Sequence, residues 1–397
     1  MNASKAERDK TLIRQAKRLE SIEPFHVMRI ITRAMELQTS GTDIVNLAVG
    51  EPDFPTPKLI VDAAVKALTT DSMRYLPALG SEELREAISQ WYQRRYEIDV
   101  PKRRVAVTTG SSGALLLTMG VLVSPGDEIL MSDPSYPCNR HFVSTMEGQS
   151  NLIPVGPDSN YQLTAELVER NWTDRTVGVM VASPSNPTGT SIKLDVLKDI
   201  HRVVRAKGGT LIVDEIYHGI TFGENEVSAL AFADDIFVIN SFSKFFSMTG
   251  WRLGWTVVPD NFIESFEKLA QNLFISSPDI AQRAAVAAFH PETVQECEVY
   301  RSRYQEQRDF LLAELKDIGF KIPVDPAGAI YIYADCSKFS KDSFQFCQDL
   351  LEKAGVAIAP GLDFGVNRAS EHVRFSYPKP ISVLAEGVKR MRAYLSQ

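Results

Sequence analysis

The sequence predicts an α/β protein: a large domain built on a mostly parallel sheet between helices, and a smaller α+β domain assembled from both termini. Three observations carry this. Short apolar segments alternate with segments of helical periodicity through the middle of the chain. One of those segments, VGVMVAS (177–183), is nearly continuously apolar, as in a strand buried on both faces. Beyond residue 290 the rhythm changes to a long charged helix followed by strand, helix, strand and helix.

Taken in order, residues 25–40 read as one helix. RVAVTT (104–109) predicts a strand and SSGALLLTMGVL (111–122) the helix after it. DEILMS (127–132) predicts a strand entered from the turn SPGD. KLDVLKDIHRVVRAKG (193–208) has helical spacing and stops at Gly208. TLIVDE (210–215), IFVINS (236–241) and GWTVVP (254–259) complete the strands of the large domain. The long helix spans 291–319, and AIYIYAD (329–335) and HVRFSYP (372–378) are the late strands. The large domain is placed at 46–290, and residues 1–45 with 291–397 form the small one.

Composition narrows the function. The chain has 397 residues, 44% of them hydrophobic and 23% charged, with a formal charge of −7. An acidic balance argues against a nucleic-acid partner. No apolar run approaches the length of a membrane helix, so no membrane partner is expected. The N-terminal stretch is charged throughout and lacks the apolar core of a signal peptide, which predicts a cytoplasmic protein. The four cysteines, at 138, 297, 336 and 347, show no metal-type spacing, and no metal is expected.

The residues that suggest chemistry sit where open α/β sheets bind ligands, beyond the carboxyl ends of the strands. Lys244 lies in SFSKFFSMTGWRLGW (241–255), among three phenylalanines and two tryptophans. A lysine desolvated in this way is suited to forming a Schiff base with an aldehyde. Asp214 ends the strand TLIV, where a helix cap or a structural hydrogen bond accounts for it as readily as catalysis. Tyr217 follows three residues later. Asn186, in ASPSNPTGT, reads by itself as a turn residue. Gly110, Ser111 and Ser112 lie between a strand and a helix, where backbone N–H groups accept an anion. Arg374 alternates with Val373 and Phe375, and by itself would pass for a surface arginine on an edge strand.

Together these segments resemble the class I and II pyridoxal-phosphate-dependent aminotransferases of the aspartate aminotransferase superfamily. NLAVGEPDF (46–54), YLPALGSEELR, TTGSSGA, DPSYP, SPSNPTG, VDEIY, SFSKFFSMTGWRLGW and HVRFSYP (372–378) occur in the family's order across most of the chain. The resemblance implies an aspartate aminotransferase-like fold and a homodimer with shared active sites. It implies that Lys244 carries pyridoxal 5'-phosphate as a Schiff base, shielded from water by its aromatic neighbours, and that its freed amine moves the substrate α-proton. Asp214 would pair with the cofactor's ring nitrogen, and Tyr217 and Asn186 would bond its phenolic oxygen. Tyr136 would stack on the ring. Ser111, Ser112, Ser241, Ser243 and Arg252 would hold the phosphate, together with Tyr75 reaching across from the neighbouring subunit. Gly50, Asn186 and Arg374 would bind the substrate, Arg374 through its α-carboxylate, and Tyr331 would line the pocket.

The implied reaction moves an amino group from an L-amino acid to a 2-oxo acid, 2-oxoglutarate being the expected acceptor. Two other readings stay open. β-Lyases and related elimination enzymes use the same motifs, and a non-catalytic, pyridoxal-phosphate-sensing regulator would carry the same domain behind a DNA-binding module. Only about 45 residues precede NLAVGEPDF, too few for such a module and its linker. In one branch of the family a lysine in the strand-to-helix loop recognises aspartate, and Ser112 stands at the matching position. A hydroxyl lacks the charge-assisted bond, worth about 1.5–3 kcal/mol, that a second carboxylate wants. Neutral donors such as alanine, methionine or an aromatic amino acid are therefore expected to outperform aspartate.

Overall fold

The computed structural model describes residues 15–223 and 226–396. The charged N-terminal stretch, through residue 14, lies outside the described residues. Twelve strands are described: β1 (Val45–Asn46), β2 (Val105–Thr108), β3 (Glu128–Asp133), β4 (Gln149–Pro154), β5 (Thr176–Ala182), β6 (Thr210–Asp214), β7 (Phe237–Ser241), β8 (Gly254–Val257), β9 (Tyr331–Asp335), β10 (Val356–Ala357), β11 (Ala359–Pro360) and β12 (His372–Ser376).

Seven of them form one sheet in the order β2-β8-β7-β6-β5-β3-β4. All neighbours are parallel except β8, which is antiparallel to both β2 and β7. The apolar runs explain the centre. β6 and β7 are flanked by strands on both edges and covered on both faces, so TLIVD and FVINS carry almost no polar side chain before their last residues. Their carboxyl ends, Asp214 and Ser241, open on the same edge as the helix start at Gly110, because β2 runs in the same direction as β7. β4 is not among the segments the apolar pattern singles out. It is an edge strand whose residues are mostly half-buried, so QSNLIP needs only one deeply buried side chain, Ile153.

Helices cover both faces. The helix Glu82–Tyr96 starts at Ser81, whose hydroxyl accepts the Leu84 N–H, with Glu82 and Glu83 favourably placed in its first turn. The 28-residue helix Pro291–Ile318 stops at Gly319, whose φ of 109° is open to glycine and strained for other residues.

The late strands form two small sheets. β11, β12 and β9 are antiparallel with β12 in the middle, and β1 pairs in parallel with β10. The second pairing brings the N-terminal part of the chain onto its C-terminal third. The central place of β12 removes the edge-strand reading of Arg374, which is only 6% exposed.

Candidate active site

A cavity of about 330 Å³ opens at the carboxyl ends of β5, β6 and β7 and is closed on its far side by residues near β9 and β12. Of the residues singled out from sequence, Gly50, Ser111, Ser112, Tyr136, Asn186, Asp214, Tyr217, Ser243, Lys244, Arg252, Tyr331 and Arg374 line it. Two do not. Ser241 is set back beneath the wall, where its hydroxyl donates to the Leu253 carbonyl and accepts the Ser243 N–H. Tyr75 is 81% exposed on the outer surface of this chain.

Lys244 follows β7 and is half-buried. Its Nζ donates to the Gly50 carbonyl at 2.7 Å and stands 5.7 Å from the Tyr217 ring centre. The phenylalanines around it do not shield the amine. Phe242, Phe245 and Phe246 turn into the protein, where they contact Trp91, Trp255 and Phe289, and none of them lines the cavity. The apolar stretch thus anchors the lysine's backbone, each buried ring contributing about 1.5–3 kcal/mol. The amine itself faces Tyr217 and Gly50.

Asp214 is buried at the end of β6 and accepts the Ile216 N–H at 3.0 Å. Among the described residues it forms no ion pair. Burial raises its pKa to about 7, opposed by the Ile216 N–H and reinforced by Glu215. Tyr217 is also buried, and burial together with the adjacent Tyr331 pushes its phenol up. Its hydroxyl donates to the Tyr331 hydroxyl at 2.9 Å.

The helix Gly110–Leu122 points its N-terminus at the cavity, with Arg252 at the rim. The approach is close. A Cβ on Gly110 would lie 2.8 Å from Arg252 Nη2, and one on Gly254 would lie 2.7 Å from the Gly110 carbonyl carbon and 2.8 Å from the Ser111 nitrogen. Glycines let free N–H groups, two serines and a guanidinium converge, which is the donor set of a phosphate site.

Arg374 is held from four sides. Its Nη1 donates to Asn186 Oδ1 at 3.0 Å and its Nη2 to the Ala48 carbonyl at 2.8 Å. The guanidinium lies 4.2 Å from the Tyr331 ring centre and 4.8 Å from that of Phe364. Its buried Nε has no partner among the described residues. A buried cation with donor capacity to spare can take a carboxylate.

Several cavity residues escape the sequence reading. Asp363 accepts the His26 and Val27 N–H groups at 2.6 and 2.8 Å and so caps the helix His26–Thr39. That cap holds Phe25, Val27, Met28 and Ile31 against the cavity mouth. The sequence predicts the helix over 25–40, but not the wall it faces.

The model of the family described as Aminotransferase class I and II matches residues 42–390. The chain belongs to this family. It is an aminotransferase of the aspartate aminotransferase superfamily, and its substrates are amino acids and 2-oxo acids. It is similar to the valine–pyruvate aminotransferase of Mycobacterium tuberculosis, 40% identical over 94% of this chain and 97% of that one. It is also similar to the aspartate aminotransferase of Bacillus subtilis, 30% identical over 96% and 99%. Among solved structures, an aminotransferase from Mycobacterium tuberculosis superposes with a TM-score of 0.94 at 40% identity, covering 97% of this chain and all of that chain. The aspartate aminotransferase of Thermus thermophilus with maleate has a TM-score of 0.90 at 31% identity, covering 96% and 100%. Among the described residues, no helix of this aminotransferase is long and apolar enough to cross a membrane.

Proposed function

We propose that this aminotransferase takes its amino group from a neutral, aliphatic L-amino acid, using pyridoxal phosphate held at Lys244. The observation that carries the reading is the composition of one cavity: an amine, a buried carboxyl without a cation, an N–H-rich helix start with an arginine, and a buried guanidinium with a free Nε. These fit a phosphorylated, basic aromatic aldehyde on one side and a carboxylate on the other. Bound there, pyridoxal phosphate supplies an electron-withdrawing ring that acidifies the α-carbon of the amino acid attached to it.

The chain's own residues then divide the work. Ser111, Ser112, Ser243, Arg252 and the N–H groups of the helix start hold the phosphate. Asp214, ionised beside a cationic ring nitrogen, keeps that nitrogen protonated. Tyr217 and Asn186 hydrogen-bond the phenolic oxygen, and Tyr136 covers a ring face. Arg374 grips the α-carboxylate and orients the α-hydrogen towards Lys244. Lys244 Nζ, as a free amine, would accept that proton. Residues 46–290 serve as the cofactor-binding domain and 1–45 with 291–397 as the small domain, a division supported by the β1–β10 pairing. The reading includes a homodimer.

The donor class is supported by the walls. The cations lining the cavity are Lys244, Arg252 and Arg374, and each already has a role. Phe25, Val27, Met28, Ile31 and Leu115 make an apolar stretch of the wall, Asp363 adds a carboxyl that would repel a second carboxylate, and Ser112 offers only a hydroxyl. The same walls favour a monocarboxylic acceptor such as pyruvate over 2-oxoglutarate. Borohydride reduction of the holoenzyme followed by peptide mapping tests the lysine, with label expected on Lys244 and nowhere else. Single-turnover absorbance with valine, alanine, methionine, phenylalanine, glutamate and aspartate tests the class. The highest efficiency with aspartate, glutamate or phenylalanine would overturn it.

A further inference from the structure

We propose that Tyr331 is a positioning residue that ties the Arg374 clamp to Lys244, its ring aligning the guanidinium and its hydroxyl tuning the proton affinity of the Lys244-bound group. The inference rests on the roles of Lys244 and Arg374 given under Proposed function.

Tyr331 is the first residue of β9 and is only 2% exposed. Its hydroxyl accepts from Tyr217 at 2.9 Å and donates to the Gly50 carbonyl at 3.3 Å. That carbonyl is the one Lys244 Nζ uses, so both of its lone pairs are taken. The result is one chain of hydrogen bonds, from Tyr217 to Tyr331 to Gly50, with Lys244 on the same oxygen. Gly50 is built around it: a Cβ there would lie 2.3 Å from the Tyr331 hydroxyl oxygen. The ring is equally committed, with Arg374 4.2 Å from its centre and Tyr217 edge-on at 5.8 Å. The charged and titratable groups facing Tyr331 are Lys244, Arg374, Tyr217, Tyr136 and Tyr377.

The hydroxyl has two acceptors within reach. Its bond to Gly50 is long, and the Tyr217 oxygen is nearer. When Tyr217 gives its own proton to another acceptor, the Tyr331 hydroxyl can turn and donate to the Tyr217 oxygen. A donor at that oxygen polarises Tyr217 and strengthens what it donates. Negative charge at the acceptor beyond Tyr217 would then be favoured, and Lys244 Nζ, as the linking nitrogen, would hold its proton less tightly. A tyrosine that merely filled space would have neither effect.

Two variants of the holoenzyme separate hydroxyl from ring. The readouts are the pH titration of the absorbance of the Lys244-bound chromophore, and the Kd of 4-methylpentanoate, a monocarboxylate without an amine to react. Tyr331→Phe keeps the ring and should leave that Kd within about twofold. It should raise the chromophore pKa by about half a unit or more. Tyr331→Leu should weaken 4-methylpentanoate about fivefold or more. A chromophore pKa in Tyr331→Phe equal to that of the parent overturns the role of the hydroxyl. An unchanged Kd in Tyr331→Leu overturns that of the ring. Should the leucine variant fail to fold, Tyr331→Met takes its place, with the same loss of 4-methylpentanoate affinity expected and an unchanged Kd overturning the role of the ring. Failure of the underlying reading looks different: the parent enzyme would then carry no reducible chromophore on Lys244.

Discussion

Asp214→Asn should stabilise the cofactor-free protein while disabling the enzyme. The carboxyl is buried, receives one backbone N–H and, among the described residues, faces no cation as an ion-pair partner. Its pKa rises from 3.8 to about 7. A carboxyl whose folded pKa exceeds its unfolded one binds its proton more tightly when folded. Stability is therefore undiminished below pH 3.8, falls as pH rises between the two values, and carries the full cost above about pH 7. A shift of about three units corresponds to about 4 kcal/mol at pH 8, and about 2 kcal/mol less at pH 5. Asparagine keeps an acceptor for the Ile216 N–H and cannot ionise. Urea unfolding of apo parent and apo Asp214→Asn should thus show the variant more stable, with a gain larger at pH 8 than at pH 5 by about 2 kcal/mol. Pyridoxal phosphate should reverse the order, because a cationic ring nitrogen beside the carboxylate stabilises the parent only. A gain that stays constant between the two pH values would refute the reasoning, since the carboxyl would then be ionised in the folded protein without penalty.

Three further outcomes follow from the geometry. Gly50→Ala places a methyl 2.3 Å from the Tyr331 hydroxyl oxygen; it should cost about 1–3 kcal/mol of stability and lower kcat/KM by about tenfold or more, seen by thermal melting beside steady-state kinetics. Arg374→Lys loses the planar fork held between Tyr331 and Phe364; KM should rise about tenfold or more for both the amino acid and the 2-oxo acid, and an unchanged KM would remove Arg374 from carboxylate binding. Tyr75, 81% exposed on this chain, should act in a neighbouring subunit: chains bearing Tyr75→Ala, which keep their own Lys244 and Arg252, should regain part of the activity when mixed with Lys244→Ala chains, whereas a fully active monomer in sedimentation would exclude shared sites.

What the sequence determined by itself is local. The central strands are legible because a strand covered on both faces must be apolar along its whole length, as in TLIVD and FVINS. Lys244 and Arg252 stand out because a charge inside an apolar stretch demands a reason. Edge strand β4 escapes, since half-buried residues leave no apolar run to read. Tertiary structure alone decided what faces what. Alternation along β12 puts Arg374 opposite its neighbours, yet its partners Asn186 and Ala48 lie 188 and 326 residues away. Gly50 is needed for the Tyr331 hydroxyl, which no spacing near residue 50 reveals. Phe242, Phe245 and Phe246 read as a shield for Lys244, but they pack on Trp91, Trp255 and Phe289 instead, because burying rings in the core gains more than lining a wet cavity. Ser241, close to Lys244 in sequence, is bound to Leu253 behind the wall, while Asp363, far from residue 26, caps the helix that closes the cavity. Periodicity tells which face of an element is buried; only the packed chain tells against which other residues.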